Sequence, residues 1–307
     1  MKRRRAGPAS TVASWLMIVS PLVVAACDSA APPPIAHQEQ AVLSGSCLAQ
    51  FRSEQIDVLR LDGTAGRVRV PPIDAASWPM SGRVSPDGMF AVGQTSNGLA
   101  AVALRGGVLW RLDGVALSGA PAIGPDAKSI AFASGDGRLL LYVVPTRALR
   151  RLDVTGSNPS WAPGNDRLAY DDGTRVHVYD LAGATATEIG PGTEPSWAPD
   201  GKRLAVRVRS EQIDLVNVET RERQPFIQAS SHVSVPRWSA DGELMMYTRQ
   251  GPRHWWSKAQ WTGSEPSQIL LRDVSSGAEA SIGEFYKADP GDYSWVRNQP
   301  LCRTPAA

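Results

Sequence analysis

A turn motif related to Pro-Asp-Gly recurs along the chain, and this repeat constrains the fold more than any other feature. Each copy follows one short strand-like segment and precedes a second, more apolar one. The proline position of the motif recurs at intervals of 39, 38, 36 and 41 residues: Pro86, Pro125, Pro163, Pro199 and Ala240. A period near 40 residues with several short strands in each unit is typical of propeller blades. The sequence therefore predicts an all-β propeller with four-stranded blades.

The two ends of the repeat region complement each other. Residues 53–57 have the same five letters, SEQID, as residues 210–214, which begin the third strand of a blade. The N-terminal part is therefore predicted to hold the last three strands of a blade: 47–52, 55–62 and 67–71. Residues 293–295 resemble a first strand with no blade after it. Five whole blades and one shared blade predict a six-bladed ring, closed by pairing between the N- and C-terminal segments, with no long exposed edge.

The N-terminal segment predicts export and lipidation. Basic residues 2–5 precede a mostly apolar stretch, and Val24-Ala25-Ala26-Cys27 resembles a bacterial lipobox, in which the cysteine is acylated and becomes the mature N-terminus. We predict a lipoprotein signal peptide over 1–26, acylation of Cys27, a Pro- and Ala-rich tether over 27–45 and the propeller over 46–307. The alternative is an ordinary signal peptide with a chance cysteine.

The charge balance argues against nucleic-acid binding. Removal of Lys2 and Arg3 to Arg5 with the signal peptide leaves 28 basic and 30 acidic residues, a net charge of −2. A chain without a basic excess lacks the electrostatic footprint of a protein that binds phosphate backbones.

The segment Trp197-Ala-Pro-Asp-Gly-Lys-Arg-Leu-Ala205 resembles the repeats of TolB-like six-bladed propellers. The resemblance extends over about residues 46–302 and implies a binding propeller in the cell envelope. The chain has a lipobox in the place where TolB has an N-terminal α/β domain. It also lacks the Gly-x-Ser-x-Gly elbow of the hydrolase domain that accompanies some related propellers.

A disulfide between Cys47 and Cys302 is predicted. Once Cys27 is lipidated these are the two remaining cysteines, and export places them in an oxidising compartment. The shared blade brings the start of the first strand near the end of the last one. Two unpaired thiols are the alternative.

An insertion over residues 250–267 separates the second and third strands of one blade, where other blades need only a few residues. We expect it on the face opposite the Pro-Asp-Gly turns, as a partner-binding loop. The alternative is that its tryptophans pack back onto the blades. The candidate contact residues are Arg253, His254, Trp255, Trp256, Lys258 and Trp261.

Other polar and aromatic positions are interpreted as structural. The turn aspartates are expected to bond the turn backbone, the recurring tryptophans to pack between blades, and Asp171, Asp172 and Asp180 to belong to a hairpin and strand end rather than a calcium site. His177 is expected as an ordinary strand residue. Arg83 and Arg237 are candidates for the mouth of the central channel. The turn aspartates are Asp87, Asp126, Asp200 and Asp241, and the recurring tryptophans are Trp161, Trp197, Trp238 and Trp295.

These features predict a monomeric, lipid-anchored propeller on the extracytoplasmic side of a membrane. It would bind an envelope protein or a glycan without catalysis, cofactor or metal. The alternative is an enzyme, a lyase or glycan hydrolase, with its site at the mouth of the central channel.

Overall fold

The computed structural model describes residue 38 and residues 46–52, 55–62, 64–69, 81–250, 267–285, 293–297 and 299–303. Every described residue belongs to one compact unit within residues 34–307. Within these ranges no helix is long and apolar enough to cross a membrane.

The described ranges contain 24 strands in five antiparallel sheets, here called sheets I to V. Sheet I has eight strands: β1 (Ser46–Arg52), β2 (Gln55–Arg60), β3 (Ala65–Arg69), β4 (Ser81–Val84), β5 (Phe90–Gln94), β6 (Gly98–Ala103), β7 (Val108–Asp113) and β24 (Ser294–Arg297). Sheet II has four: β8 (Leu117–Ile123), β9 (Ser129–Ser134), β10 (Arg138–Val143) and β11 (Ala148–Thr155). A short helix, α1 (Gln299–Cys302), follows β24.

Sheets III to V repeat the four-stranded pattern of sheet II. Sheet III has β12 (Ser157–Trp161), β13 (Arg167–Asp171), β14 (Arg175–Asp180) and β15 (Thr185–Pro191). Sheet IV has β16 (Thr193–Trp197), β17 (Arg203–Arg209), β18 (Gln212–Asn217) and β19 (Arg223–Gln228). Sheet V has β20 (Val233–Trp238), β21 (Leu244–Gln250), β22 (Ser267–Asp273) and β23 (Glu279–Phe285). The predicted all-β propeller with four-stranded blades is confirmed.

The turn motif joins the first strand of each repeat to the second, as its composition predicts. In sheet IV the N–H of Gly201 donates to the carbonyl of Ala198, and Gly201 has a φ of 67°. A left-handed φ is readily adopted by glycine because it has no Cβ. Where the motif lacks glycine at this position, Ala127 and Asn165 take the same conformation, with φ of 57° and 56°.

The last strand pairs with the first, as predicted. β24 lies antiparallel to the first half of β1, with Ala49 opposite Ser294. The second half of β1 pairs instead with β4, with Gln50 opposite Arg83. Because β1 is shared between these two partners, the strands predicted as two separate blades form one eight-stranded sheet.

The core consists of six hydrophobic clusters in the described residues. Four lie between successive groups of strands from β4–β7 through sheet V. A fifth joins sheet V to β1 and β2, where Leu48 and Leu59 pack with Leu244 and Met246. The sixth lies inside sheet I, where Cys47 and Ala49 pack with residues of β4–β6. Alternate residues of β1 thus face two different clusters, as the two-residue period of a strand requires.

A disulfide joins Cys47 in β1 to Cys302 in α1, with the Cα atoms 5.6 Å apart. Both cysteines are buried, and the side chain of Arg60 donates a hydrogen bond to the carbonyl of Cys302. The bond agrees with the predicted pairing and covalently links the two ends of the propeller.

Candidate functional site

A cavity of about 390 Å³ opens at the ends of six strands, five of which lead into copies of the turn motif. These strands are β4, β8, β12, β16, β20 and β24, and each contributes residues to the wall. The turn prolines Pro86, Pro125, Pro163 and Pro199 also line the cavity. The cavity therefore lies on the face that carries the turns.

Four tryptophans form the apolar part of the wall: Trp161, Trp197, Trp238 and Trp295. Three of them donate their indole N–H to a carbonyl of the inner strand one sheet earlier, as when Trp238 donates to Ser196 at 3.2 Å. The other two such bonds are Trp161 to Ala122 and Trp295 to Arg237, both 3.1 Å. The predicted packing role between blades is confirmed, and the same indoles also line the cavity.

Trp197 differs from the other three tryptophans. Its indole Nε1 is buried and has no hydrogen-bond partner among the described residues. Its backbone N–H donates to the hydroxyl of Ser160 at 3.1 Å, and the guanidinium of Arg167 lies 4.9 Å from its ring centre. A buried donor without a partner costs free energy. Trp197 therefore carries a buried indole N–H that no described residue accepts.

The residue just before the repeated aromatic position forms a polar ring around the cavity. Its six positions are two arginines, Arg83 and Arg237, three serines, Ser160, Ser196 and Ser294, and one apolar residue, Ala122. The structure therefore places both predicted channel-mouth arginines in one cavity wall, on β4 and β20. No carboxylate belongs to the described part of this wall. Guanidinium groups and hydroxyls donate hydrogen bonds, so the wall is suited to acceptor-rich, negatively charged groups.

The turn aspartates bond their own turns, as predicted. Asp200 accepts the N–H groups of Lys202 and Arg203 at 2.8 and 3.0 Å. Burial opposes ionisation of Asp200, but the hydrogen bonds from Lys202 and Arg203 outweigh burial and lower its pKa. Asp87, Asp126 and Asp241 each accept an N–H two residues later in the same way.

A second cavity, of about 480 Å³, lies at the ends of sheets II and III that are away from the Pro-Asp-Gly turns. Its wall includes Arg138, Tyr170, Asp172 and His177. Asp172 caps the β13–β14 hairpin and contacts His177 Nε2 at 3.0 Å, while the His177 ring stacks on Tyr170. The hydrogen bond to His177 is the largest of the interactions that lower the pKa of Asp172. The predicted hairpin is confirmed, but the pairing of His177 with Asp172 was not expected.

Carboxylates also link the inner strands of sheets III, IV and V. The buried Asp171 accepts hydrogen bonds from the side chain of Asn158 at 2.8 Å and from the backbone N–H of Glu194 at 2.9 Å. Glu194 in turn accepts the N–H of Val235 at 2.7 Å and pairs with Arg207 at 3.0 Å.

Sequence reasoning missed this linkage, although the chain contains a signal for it. Asn158, Glu194 and Val235 each precede a proline and stand three residues before a repeated tryptophan. All three have positive φ angles, between 50° and 58°, at a register shift of the inner strand. A left-handed conformation is unusual for such residues, and most unusual for a β-branched valine.

The remaining predicted site residues lie outside the described ranges. These are Cys27 and the insertion residues Arg253, His254, Trp255, Trp256, Lys258 and Trp261. Within the described ranges, no group of three or more His, Cys, Asp or Glu residues is placed to hold a metal ion.

Comparison with known proteins supports the fold. Neither a protein-family model nor a curated protein matches the chain. A protein from Agrobacterium tumefaciens assigned as TolB is similar in structure, with a TM-score of 0.56 and 16% identity, over 81% of this chain and 96% of that chain. Hydrazine synthase from Kuenenia stuttgartiensis matches with a TM-score of 0.51 and 16% identity, over 73% of this chain and 70% of that one.

An oligogalacturonate lyase in complex with manganese also matches, with a TM-score of 0.51 and 14% identity, over 80% of this chain and 81% of that one. The matched proteins have different functions, so the likeness establishes a propeller fold similar to that of TolB and no specific activity.

Proposed function

We propose that this protein is a lipid-anchored module of the cell envelope, whose propeller binds a protein or glycan partner at the channel mouth. The observation that carries the proposal is the polar ring, in which Arg83 and Arg237 share one aromatic-lined cavity with three serines. Tryptophan and arginine are the side chains most enriched at binding hot spots. The partner would insert a group rich in hydrogen-bond acceptors, which the two guanidinium groups and the serine hydroxyls of the ring would bind.

The ring proposed here has six blades, with sheet I as two of them. Strands β24, β1, β2 and β3 would form the closing blade, and β4 to β7 the next. The cluster inside sheet I supports this division, because it lies between these two groups as the other clusters lie between neighbouring sheets. Six inner strands around one cavity agree with it.

The proposed location is the extracytoplasmic side of a membrane, with acylated Cys27 as the anchor and a monomeric propeller. The lipobox-like tetrad at residues 24–27 and the disulfide between Cys47 and Cys302 support it, since disulfides persist in oxidising compartments. The resemblance of the repeats to TolB-like propellers implies an envelope protein that binds other proteins, and the structural similarity to a TolB supports the fold on which that expectation depends.

The insertion over 250–267 is proposed as a second contact region. Its two ends are fixed, because Gln250 and Ser267 are paired across β21 and β22. They lie at the end of sheet V away from the Asp241 turn, so a partner held there would approach the opposite face.

Binding at the channel mouth is tested with the pair of substitutions Arg83→Ala and Arg237→Ala. The matched control is Arg209→Ala, an exposed arginine in sheet IV on the other face. Isothermal titration would use four probes: a glutamate-rich peptide, its glutamine analogue, a uronic-acid oligosaccharide and its neutral counterpart. We expect an acidic probe to bind the wild type and the control, and to lose at least tenfold in affinity with the double variant. Equal binding by all three proteins would contradict the proposal.

The same titrations address the alternative function, an enzyme acting at the channel mouth. Mass spectrometry of the probes after incubation would detect cleavage of the oligosaccharide. Cleavage that disappears in the Arg83→Ala, Arg237→Ala variant would establish a lyase or glycan hydrolase instead of a binding module.

A further inference from the structure

The large apolar side chains that are strongly exposed cluster in one sector of the propeller. In the described ranges these are Met89, Val108, Leu109 and Leu149, with 50%, 38%, 50% and 40% of their surface exposed. Met89 follows the β4–β5 turn, Val108 and Leu109 begin β7, and Leu149 is near the start of β11. Both β7 and β11 are outermost strands, where solvent-facing residues are normally polar.

These side chains lie toward one face of the molecule. The N–H of Leu104, in the turn before β7, donates to the carbonyl of Met89 just after the β4–β5 turn. The N–H of Val144, before β11, donates in the same way to Lys128. The exposed apolar groups therefore stand on the face that carries the Pro-Asp-Gly turns.

Four exposed arginines accompany them: Arg105, Arg147, Arg150 and Arg151. None of the four forms an ion pair with a described residue. The turn aspartates Asp87 and Asp126 share this face, so with Lys128 the sector has five basic and two acidic groups. We call Met89, Arg105, Val108, Leu109, Arg147, Leu149, Arg150 and Arg151 the basic–apolar rim.

The outer strands of other sheets lack this combination. The exposed start of β15 is Thr185 to Thr187, and the exposed residues of β19 include Gln224 and Pro225. In sheet III, Arg175 is paired with Glu188 across the sheet. The basic–apolar rim is therefore a local feature and not a property that every blade shares.

The chain enters the propeller on the same face. β1 begins at Ser46, opposite the end of β24, and the N–H of Arg297 at that end donates to the carbonyl of Pro86 in the β4–β5 turn. Before β1, the side chain of Gln38 is buried and donates to the carbonyl of Leu61, in the turn after β2. Gln38 and the start of β1, the first described residues of the chain, therefore lie on the face that holds the basic–apolar rim.

We propose that the basic–apolar rim contacts an anionic phospholipid bilayer, so that this sector at the edge of the turn face lies against the membrane. This inference rests on the proposed lipid anchor at Cys27. Eleven residue steps separate Cys27 from Gln38 and span at most about 40 Å. Arginines near an anionic surface each contribute to binding, and exposed leucines enter the interfacial region. The rim lies at the outer strands of one sector, so contact there would tilt the propeller and leave the cavity at the centre of the same face accessible to a partner.

Vesicle flotation of the mature chain with Cys27→Ser tests the surface without the lipid. The vesicles contain phosphatidylcholine alone or mixed with phosphatidylglycerol. We expect binding to the anionic vesicles only, and a loss of roughly tenfold or more for Arg147→Glu with Arg150→Glu. Leu109→Ser with Leu149→Ser should also reduce binding, while Arg209→Glu on the opposite face should not. No binding to anionic vesicles, or equal loss with Arg209→Glu, would overturn the proposal.

Photocrosslinking in intact cells tests the orientation of the anchored protein. A photoreactive amino acid replaces Leu109 in one variant and Arg209 in another, and adducts are identified by mass spectrometry. Phospholipid adducts at position 109 and not at 209 support the proposal. Adducts at 109 with protein alone would identify a protein-docking surface and overturn it. If the wild-type protein is absent from the membrane fraction, the lipid anchor is refuted. The flotation experiment does not depend on the anchor, so the two proposals can fail separately.

Discussion

The backbone N–H of Arg297 donates a 2.9 Å hydrogen bond to the carbonyl oxygen of Pro86, which joins the last strand of the propeller to the first Pro-Asp-Gly turn. A few residues later, Cys302 is covalently bonded to Cys47 in β1. Two contacts of different chemistry therefore hold the C-terminal segment against sheet I. Ring closure depends on this segment. The first half of β1 pairs with β2 on one edge, and among the described strands only β24 pairs with its other edge.

We predict that Cys302→Ser lowers the free energy of unfolding by about 3–5 kcal/mol, because the disulfide closes a loop of 255 positions and restricts the unfolded chain. Urea unfolding monitored by tryptophan fluorescence would measure the change. Cys47→Ser should give a similar loss, and the double variant should add little to either single change. Additive losses would mean that the two cysteines stabilise the fold independently of their bond.

Substitution of two repeated tryptophans by phenylalanine should have unequal effects. Trp238 donates its indole N–H to the Ser196 carbonyl, whereas the indole N–H of Trp197 has no partner among the described residues. Both variants lose similar volume, but only Trp238→Phe also loses a buried hydrogen bond. We expect Trp238→Phe to cost about 1 kcal/mol more than Trp197→Phe in urea unfolding. An equal or larger loss for Trp197→Phe would show that its N–H is hydrogen-bonded in solution.

The repeat could be predicted from sequence because each blade is built from neighbouring segments, whose turns and apolar strands are visible locally. The closing strand was predictable for the same reason, since residues 293–295 match the first strand of other repeats. The sharing of β1 between β24 and β4 could not be predicted, because it depends on which inner strand lies beside Gln50 in the folded protein. Of the polar ring, Arg83 and Arg237 could be identified from sequence but the three serines could not. A serine in a strand is not distinctive in sequence, and these three are recognisable as one site only because the inner strands converge around the cavity.

The insertion should contribute to partner binding and not to the core. Replacing Trp255, Trp256 and Trp261 with serine is expected to leave the melting temperature within a few degrees of the wild type and to weaken partner capture. Differential scanning calorimetry and in-cell crosslinking would measure the two effects. Unfolding of the triple variant would show instead that these tryptophans pack against the blades.

His177 should control the titration of Asp172. The hydrogen bond from His177 is the first of the interactions that lower the pKa of this carboxyl, so its folded pKa lies below the unfolded value. The stabilisation from this pair is therefore present above about pH 4 and is lost as the pH falls further. In His177→Ala, NMR titration should find the Asp172 pKa closer to its ordinary range. An unchanged pKa would assign the effect to the N–H groups of Thr174 and Arg175 alone.

Glu194 should stabilise the ring by joining neighbouring inner strands. Its carboxylate accepts the N–H of Val235 in sheet V at 2.7 Å and pairs with Arg207 in its own sheet. Glu194→Ala would leave the Val235 N–H without this acceptor, and we expect a loss of about 1–3 kcal/mol in the free energy of unfolding. Glu194→Gln keeps an oxygen acceptor at the same position and should lose less, since it removes only the negative charge that pairs with Arg207. Hydrogen exchange at the Val235 amide gives the local readout: exchange should accelerate in Glu194→Ala and change little in Glu194→Gln. Equal exchange in all three proteins would mean that the N–H is protected by another group.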